Sequence, residues 1–380
     1  MQFIDLGAQR DRIRDRLKAA IDQVVDDGRY ILGPQVAEFE NKLAAYVGVK
    51  HCVACANGTD ALLLPLLASG VGPGDAVFVP SFTFAATAEV VALAKAEPVF
   101  VDVDPQTYNI DIASLEAAIA MIKAEGRLKP RAIIPVDLFG LAADYDAIME
   151  IAARENLLVI EDAAQAIGGS LDGKMCGAFG TVGATSFYPA KPLGCYGDGG
   201  AMFTNDDAFA QKLRSFAFHG KGETQYDNIH VGLNSRLDTL QAAILIEKLA
   251  ILEDEMEARQ IVAKRYAEGL GDVVKAAGLA DGGRSAWAQY AIETPRRDEL
   301  KVHLQENGIP SVIYYVKPLH QQIAYRDYPV APGGLPVSEA LPEKILCLPM
   351  HPYLSEEDQD RIISTIRNFI GSNATQVAAE

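Results

Sequence analysis

Between residues 50 and about 205, short apolar runs alternate with stretches in which apolar side chains recur every three or four positions. The short runs predict strands at 51–56, 76–80, 98–102, 132–136, 157–161, 183–187 and 201–204. The helical spacing predicts helices at 60–69, 85–95, 112–124 and 145–155. Apolar strands that alternate with helices indicate an α/β fold, in which a mostly parallel sheet is covered on both faces.

The pattern changes on either side of this region. Helical spacing over 8–28 and 35–48, broken by a Gly-Pro pair, predicts N-terminal helices. A long helix is predicted at 237–258, strands at 286–292 and 345–348, helices at 296–307 and 355–370, and an irregular loop at 325–336. We therefore expect a large domain over residues 1–250 and a small C-terminal α+β domain over residues 251–380.

The composition excludes several classes of protein. A net charge of −17 argues against nucleic acid as a partner, because a phosphate backbone requires a basic face. No apolar run approaches the roughly 18 residues of a membrane span, and no signal-peptide pattern opens the chain, so we expect a cytoplasmic protein. The five cysteines are expected to be free thiols. Cys52 and Cys55 lie in an apolar run without a second ligand pair, which predicts two small buried residues and no metal site.

Lys191 and Asp162 are the main candidates for chemistry. Lys191 lies among aromatic residues, Pro and Gly, just before a Gly-rich turn, and Asp162 follows a predicted strand. A lysine that can form a Schiff base and a carboxylate that can hold a pyridinium nitrogen are what a pyridoxal phosphate (PLP) enzyme requires. Most lysines are solvated. A lysine in an apolar pocket, however, has its ammonium form disfavoured and becomes nucleophilic near neutral pH.

A candidate phosphate site lies where Gly58 and Thr59 follow a predicted strand and open a predicted helix. Free N–H groups at a helix N-terminus, a close-approaching glycine and a hydroxyl suit a phosphate. Taken alone, the turn is better explained as an ordinary helix cap. Considered together with Lys191, it is better explained as a phosphate site. Ser186 supplies a second hydroxyl five residues before the lysine, although it can equally be a capping serine.

Four further residues are candidates on weaker grounds. Gln165 follows Asp162 by one helical turn and can hydrogen-bond the phenolic oxygen of the cofactor. Phe84 can stack on the cofactor ring, although an aromatic residue after a strand more often packs in the core. Asn234 and Arg236, in a loop that enters the long helix, can donate to phosphate or carboxylate. A capped helix start explains that loop about equally well.

Taken in order, these segments resemble the DegT/DnrJ/EryC1/StrS family of sugar aminotransferases, which have the fold-type-I architecture of PLP enzymes. The resemblance covers nearly the whole chain. It rests on residues 3–6, 30–34, 58–59, 161–165, 186, 191, 197–200, 234–238 and 318–320.

The resemblance implies a role for each candidate. Lys191 is expected to be the catalytic lysine that carries PLP. The expected cofactor-binding residues are Gly58, Thr59, Phe84, Asp162, Gln165, Ser186, Lys191 and Asn234, the last reaching the phosphate from the neighbouring subunit. The expected substrate-binding residues are Arg236, Tyr315 and His320. A homodimer with shared active sites follows from the role of Asn234.

The implied reaction moves an amino group from L-glutamate to the keto carbon of a nucleotide-linked sugar. Residues 231–245, 288–290 and 348–353 are most similar to members that aminate C3 of UDP-2-acetamido-2-deoxy-3-oxo-D-glucuronate, in the synthesis of surface polysaccharides such as O-antigen. The alternatives are a dTDP- or GDP-linked 3- or 4-keto deoxysugar, a PLP-dependent lyase or cysteine desulfurase, and a non-catalytic PLP-binding regulator on the same fold.

Overall fold

The computed structural model of the protein describes residues 1–224, 226–279 and 281–377. Strands in these residues are β1 (His51–Cys55), β2 (Asp75–Pro80), β3 (Glu97–Val101), β4 (Lys129–Ile133), β5 (Leu158–Asp162), β6 (Ser170–Leu171), β7 (Lys174–Met175), β8 (Val182–Ser186), β9 (Gly200–Thr204), β10 (Lys275–Ala276), β11 (Gly283–Arg284), β12 (Tyr290–Glu293) and β13 (Ile345–Leu348). Seven of them form one sheet in the order β1-β9-β8-β5-β4-β2-β3. Neighbours in this sheet are parallel except at β9, which runs antiparallel to both β1 and β8.

Helices precede, cover and follow this sheet. They are α1 (Leu6–Arg12), α2 (Arg14–Asp27), α3 (Pro34–Val47), α4 (Gly58–Ala68), α5 (Ala86–Leu93), α6 (Ile112–Glu125), α7 (Tyr145–Glu155), α8 (Asp207–Ala217), α9 (Thr239–Leu249), α10 (Leu252–Leu270), α11 (Arg297–Glu306), α12 (Pro336–Lys344) and α13 (Glu356–Val377). Short 3₁₀ turns occur at Leu138–Gly140 and Leu319–Gln321. No helix in the described part of the chain is both long and apolar enough to cross a membrane.

Both faces of the large sheet are buried. Met202 and Phe203 are adjacent in β9, and their side chains therefore point to opposite faces. Met202 belongs to an apolar cluster with residues of α4 to α8, whereas Phe203 belongs to another with residues of α3, α9 and α10. The structure thus confirms the predicted α/β fold with a mostly parallel, doubly covered sheet.

The strands and helices of the central region are confirmed, with small shifts at their ends. The largest shift in a strand is at β4, predicted at 132–136 and observed at Lys129–Ile133. The predicted helix 8–28 is divided into α1 and α2 at Ile13, and two helices that the pattern did not predict, α8 and α12, are present.

The prediction of one long helix over 237–258 was wrong, because α9 ends at Leu249 and α10 begins at Leu252. Ile251, between them, has a non-helical backbone with φ −115° and ψ 1°. Its side chain is buried in a cluster with Ile13, Leu17 and Ile244. An apolar residue therefore occupies the break, and the spacing of apolar positions gave no sign of it.

A second, three-stranded sheet in the order β10-β12-β13 lies in the C-terminal part of the chain and has its own apolar cluster. The strand predicted at 286–292 begins only at Tyr290, because Ala286 and Ala288 instead donate backbone hydrogen bonds to the turn at Leu138–Gly140. Leu319 and Leu335 return to the cluster of the large sheet. A division into domains at residue 250 stays a prediction.

Two buried carboxylates lie behind the carboxyl end of β5. Glu161 accepts backbone hydrogen bonds from Gly177, from Phe179 at 2.7 Å and from Gly180 at 3.1 Å. Asp137 Oδ1 accepts from the Tyr145 hydroxyl at 2.8 Å and from the Ala143 N–H at 3.1 Å.

The two carboxyl groups lie within 4.8 Å of each other, so they cannot both carry a charge at low cost. Burial and the Glu161 charge raise the pKa of Asp137 well above its usual value. Burial raises the pKa of Glu161 as well, but three backbone N–H groups and Asp137 oppose this effect. We conclude that the proton resides on Asp137, which fixes the segment that pairs with Asp162 through the Asp137 N–H and the Asp162 carbonyl.

This assignment predicts how stability depends on pH. A folded-state pKa above the unfolded value of about 3.9 stabilises the protein at low pH, and the contribution is lost as pH rises through the folded pKa. Asp137→Asn keeps a neutral side chain with a donor and an acceptor. As pH rises from about 3.9 towards the folded-state pKa of Asp137, the urea-unfolding midpoint of this variant should therefore fall less than the wild-type midpoint. If the midpoint of Asp137→Asn fell with pH as steeply as that of the wild type, or more steeply, the proton could not be assigned to Asp137.

The matched variant Asp137→Ala should be destabilised at every pH. It leaves the Tyr145 hydroxyl and the Ala143 N–H without their acceptor, which should cost roughly 1–3 kcal/mol. Urea unfolding of both variants in the same buffers separates the loss of these bonds from the loss of the titrating group.

Candidate active site

A cavity of about 510 Å³ opens at the carboxyl ends of β1, β2, β5 and β8. This is where ligands collect in folds with a parallel sheet. The cavity is lined by most of the residues predicted to form a site, namely Gly58, Thr59, Phe84, Asp162, Gln165, Ser186, Lys191 and Tyr315. Asn234, Arg236 and His320 do not line it.

Asp162 is the last residue of β5 and is buried at the floor of the cavity. Its Oδ2 accepts a hydrogen bond from Thr87 Oγ1 at 3.0 Å, and its Oδ1 accepts from the Ala164 N–H at 3.2 Å. Burial raises the pKa of Asp162 above its usual value, and the two hydrogen bonds and the Lys191 charge only partly oppose this. A cationic group bound beside Asp162 would favour its ionised form.

Lys191 lies in the turn that follows β8, where its backbone N–H donates to the Tyr188 carbonyl at 2.8 Å. Burial lowers the pKa of Lys191, and the Asp162 charge opposes this effect. More of its amine is therefore uncharged near neutral pH than in a solvated lysine, and an uncharged amine is nucleophilic. The direction of this pKa shift is the one expected for a lysine in an apolar pocket.

Helix α9 holds the Lys191 turn in place. Lys248, fully buried on α9, donates from Nζ to the Gly194 carbonyl at 2.6 Å and lies 4.3 Å from the centre of the Tyr196 ring. Burial lowers the pKa of Lys248 to about 8. The Gln241 side chain accepts from the Tyr196 N–H at 2.8 Å. Two polar groups of one helix thus fix the turn.

The antiparallel strand β9 brings the predicted phosphate residues together. Gly200 of β9 pairs with Cys55 at the end of β1 on one side and with Ser186 at the end of β8 on the other. A Cβ at Gly200 would lie 2.4 Å from the Asn57 carbonyl oxygen, so glycine is required for the turn after β1 to cross above β9. The turn thereby reaches Ser186.

The N-terminus of α4 then meets the Ser186 hydroxyl. Asn57 caps this helix by accepting from the Asp60 N–H at 2.8 Å, which leaves the first N–H groups, at Gly58 and Thr59, available for a ligand. A Cβ at Gly58 would lie 2.6 Å from Cβ of Ser186, so only glycine allows this approach. The corner is a cradle of two amides and two hydroxyls that suits a phosphate.

Phe84 lies at the cavity with 60 % of its surface exposed. The alternative that it packs in the core is therefore wrong. Its ring is available to stack on a planar ligand.

Gln165 lies at the cavity, but both ends of its amide already have partners. Its Oε1 accepts from the Phe139 N–H at 2.9 Å, and its Nε2 donates to the Tyr315 hydroxyl at 3.2 Å. Tyr315 is thereby held beside Asp162, whose charge helps to raise the pKa of this phenol above its usual value, after the larger effect of burial. The Nε2 group carries two N–H donors, so its second N–H can still bond to the cofactor while the first bonds to Tyr315.

Three predicted residues lie elsewhere. His320 is held between Ser81 Oγ, 2.7 Å from its Nδ1, and Glu339, 3.1 Å from its Nε2, so the structure places it outside the cavity of its own chain. The Arg236 guanidinium lies over the Phe218 ring at 4.8 Å. Asn234 is exposed. The expected contacts of these residues with cofactor or substrate stay predictions.

The structure also brings in residues that sequence reasoning missed, among them Thr87, Tyr188, Tyr314 and Gln289. Thr87 lies one helical turn after Phe84, so helical spacing from Phe84 was a signal for it. Tyr188 and Tyr314 have no such signal, because nothing in the local pattern distinguishes them from other aromatic residues. Gln289 lies in the stretch 288–290, which carries part of the family resemblance, but no role was assigned to it.

Together these groups fit PLP. The amine of Lys191, the carboxylate of Asp162, the exposed ring of Phe84 and the phosphate cradle around Ser186 face one cavity. These are the groups that the cofactor's aldehyde, pyridine nitrogen, ring and phosphate require. When bound, PLP supplies an electron sink for a carbanion at the carbon bearing the amino group.

Comparison with known proteins agrees with this chemistry. Residues 11–367 match the DegT/DnrJ/EryC1/StrS aminotransferase family. The chain is 47 % identical to a UDP-2-acetamido-2-deoxy-3-oxo-D-glucuronate aminotransferase of Pseudomonas aeruginosa, over 97 % of this chain and all of that protein. Other relatives are named as aminotransferases for dTDP-linked sugars, as a GDP-perosamine synthase and as a pleiotropic regulatory protein.

Solved structures show the same fold. A DegT/DnrJ/EryC1/StrS aminotransferase from Brucella abortus superposes with a TM-score of 0.97 at 72 % identity, covering 98 % of this chain and 100 % of that chain. NtdA from Bacillus subtilis, solved with bound cofactor PMP, superposes with a TM-score of 0.87 at 30 % identity, covering 97 % of this chain and 83 % of that chain.

The bond from Thr87 to Asp162 generates a prediction. Thr87→Val removes this bond without a large change in volume, so the pKa of Asp162 should rise further and its ionised form should become rarer. Cofactor-free Thr87→Val protein should bind PLP with a Kd roughly tenfold higher. Absorbance titration with PLP measures this Kd.

Thr83→Val is the matched control. The Thr83 hydroxyl lies 3.4 Å from that of Thr87 and has no bond to Asp162. It should therefore weaken PLP binding less. An equal loss in the two variants would show that Asp162 does not depend on the Thr87 hydroxyl.

Proposed function

We propose a substrate for this chain, which belongs to the DegT/DnrJ/EryC1/StrS aminotransferase family and is a PLP-dependent sugar aminotransferase. It transfers the amino group of L-glutamate to C3 of UDP-2-acetamido-2-deoxy-3-oxo-D-glucuronate. The similarity to the Pseudomonas aeruginosa enzyme over the whole chain supports this substrate. We place the reaction in the cytoplasm, in the synthesis of a surface polysaccharide such as O-antigen.

The observation that carries the activity is the pairing of a half-buried lysine, Lys191, with the buried carboxylate of Asp162 in one cavity. Asp162, kept ionised by a cationic ring nitrogen, would hold the cofactor ring in its electron-accepting form. Thr59, Ser186 and the first N–H groups of α4 would hold the phosphate. Phe84 would cover one face of the ring and exclude water from it.

Lys191 would move the proton. Its uncharged Nζ can accept the proton from the α-carbon of glutamate and later return a proton to the carbon that was the keto carbon of the sugar. The lowered pKa of Lys191 favours the first of these transfers, because it keeps the amine unprotonated near neutral pH.

The substrate panel is the direct test. Wild-type protein loaded with PLP and treated with L-glutamate should release 2-oxoglutarate and then transfer the amino group to the UDP-linked 3-oxo-uronate. Mass spectrometry of the product should show a 3-amino sugar. UDP-, dTDP- and GDP-linked 4-keto sugars should react at least about tenfold more slowly, because each places its ketone at a different distance from Lys191.

Three outcomes would contradict the proposal. Faster amination of a dTDP- or GDP-linked sugar would replace the substrate while leaving the reaction class intact. Formation of a lyase or desulfurase product would replace the reaction. Binding of PLP without any reaction with glutamate would indicate a regulator, as the name of one relative would allow.

We further propose that the protein acts as a homodimer with active sites shared between subunits. Asn234 is exposed and lies outside the cavity of its own chain. The adjoining segment exposes large apolar side chains, with Tyr226 89 % and Val231 94 % accessible. Ile31, half-exposed, pairs with Asp238 and is a further exposed apolar side chain. A second copy of the chain would cover the surface and receive Asn234.

Mixing inactive variants tests the shared site. Asn234→Asp should be inactive because a carboxylate would face the phosphate, and Lys191→Ala should be inactive for want of the amine. Coexpressed, the two should recover about a quarter of the wild-type rate, because half of the dimers are mixed and each has one intact site.

The matched control is coexpression of Lys191→Ala with Asp162→Ala. Both changes affect residues of the same chain's cavity, so no mixed dimer has an intact site and no activity should return. Recovery in the control, or its absence in the test pair, would contradict the sharing of sites.

A further inference from the structure

One polar side chain at the cavity has no role in the chemistry described above. Gln289 lies immediately before β12 of the small sheet, and its side chain lines the cavity. Its Oε1 is buried and has no hydrogen-bond partner in the described residues. The amide of Gln165, in the same cavity, has partners at both ends.

The backbone around Gln289 is held firmly. Ala288 donates to the Phe139 carbonyl at 3.0 Å, Tyr290 pairs with Leu348, and Arg259 donates to the Trp287 carbonyl at 2.8 Å. The main chain therefore holds Gln289 in a fixed position at the wall of the cavity. A buried acceptor without a donor destabilises the fold unless a ligand supplies the donor.

The chemistry of the cavity indicates which ligand supplies the hydrogen-bond donor for Gln289. The groups that suit PLP, including Asp162, Ser186 and Lys191, come from the large sheet and its loops, whereas Gln289 comes from the small sheet. An amide oxygen accepts from an O–H or N–H group. Neither carboxylate of ionised glutamate has a proton to donate, and its amino group is the one that must reach the reacting centre at Lys191. A sugar hydroxyl or acetamido N–H can donate to Gln289.

We propose that Gln289 is a specificity-determining residue that accepts a hydrogen bond from a hydroxyl or acetamido N–H of the sugar. This inference rests on the proposed function. It assigns the acceptor sugar to the side of the cavity formed by Gln289, Tyr314 and Tyr315. The amino donor does not need the Gln289 bond.

The two half-reactions separate the roles. Gln289→Met keeps the length of the side chain and removes its polar atoms. In the wild type, the reaction with glutamate and the reverse reaction with the UDP-linked 3-amino-uronate are each followed by the change in visible absorbance. In Gln289→Met, kcat/KM for the amino sugar should fall about tenfold, while kcat/KM for glutamate should change less than about twofold.

Binding provides a readout besides activity. Calorimetry with the UDP-linked 3-amino-uronate should show a Kd about tenfold higher for Gln289→Met than for wild type. Gln305→Met is the matched control, because Gln305 is exposed on α11 of the same part of the chain and does not line the cavity. It should match the wild type in both half-reactions.

An unchanged reaction with the amino sugar would overturn the inference. So would an equal loss in both half-reactions, since this would assign Gln289 to the cofactor or to the fold. Failure of the proposed function is distinguishable, because the wild type itself would then not react with the amino sugar, and the assignment of Gln289 would fall with it.

Discussion

The parallel pairing of β5 with β8 is the constraint on which the site depends. It sets Asp162 opposite Ala184 and so brings the carboxyl ends of both strands to one edge of the sheet. The turn that follows β8 then carries Lys191 to the same cavity as Asp162. Burial disfavours the charge on each group, while each charge stabilises the other. Asp162 can therefore bind a cationic ring, and Lys191 can supply an uncharged amine.

Neighbouring elements keep this geometry in place. The reversed strand β9 separates β1 from β8, and glycines at 58 and 200 let the turn after β1 cross above it to reach Ser186. Lys248 and Gln241 fix the Lys191 turn from α9. Behind Asp162, the neutral Asp137 beside the charged Glu161 fixes the adjoining segment. Each support contacts a neighbouring element, so the site is assembled by tertiary contacts.

Sequence reasoning found what local pattern encodes. Lys191, Asp162 and the Gly58 turn were recognisable because each follows a predicted strand at the edge where parallel sheets bind ligands. It failed where a tertiary contact decides the outcome. Ile251 breaks a helix without interrupting the apolar spacing. The Gln289 oxygen, which has no partner among the residues described, became visible only once its surroundings were known.

The most direct measurement is the identity of the lysine that carries PLP. Protein loaded with PLP should absorb in the visible range, and borohydride should fix the cofactor covalently. Digestion and mass spectrometry should then find the label on the peptide that contains Lys191. A label on Lys248 or on any other lysine, or none at all, would contradict the account of the site.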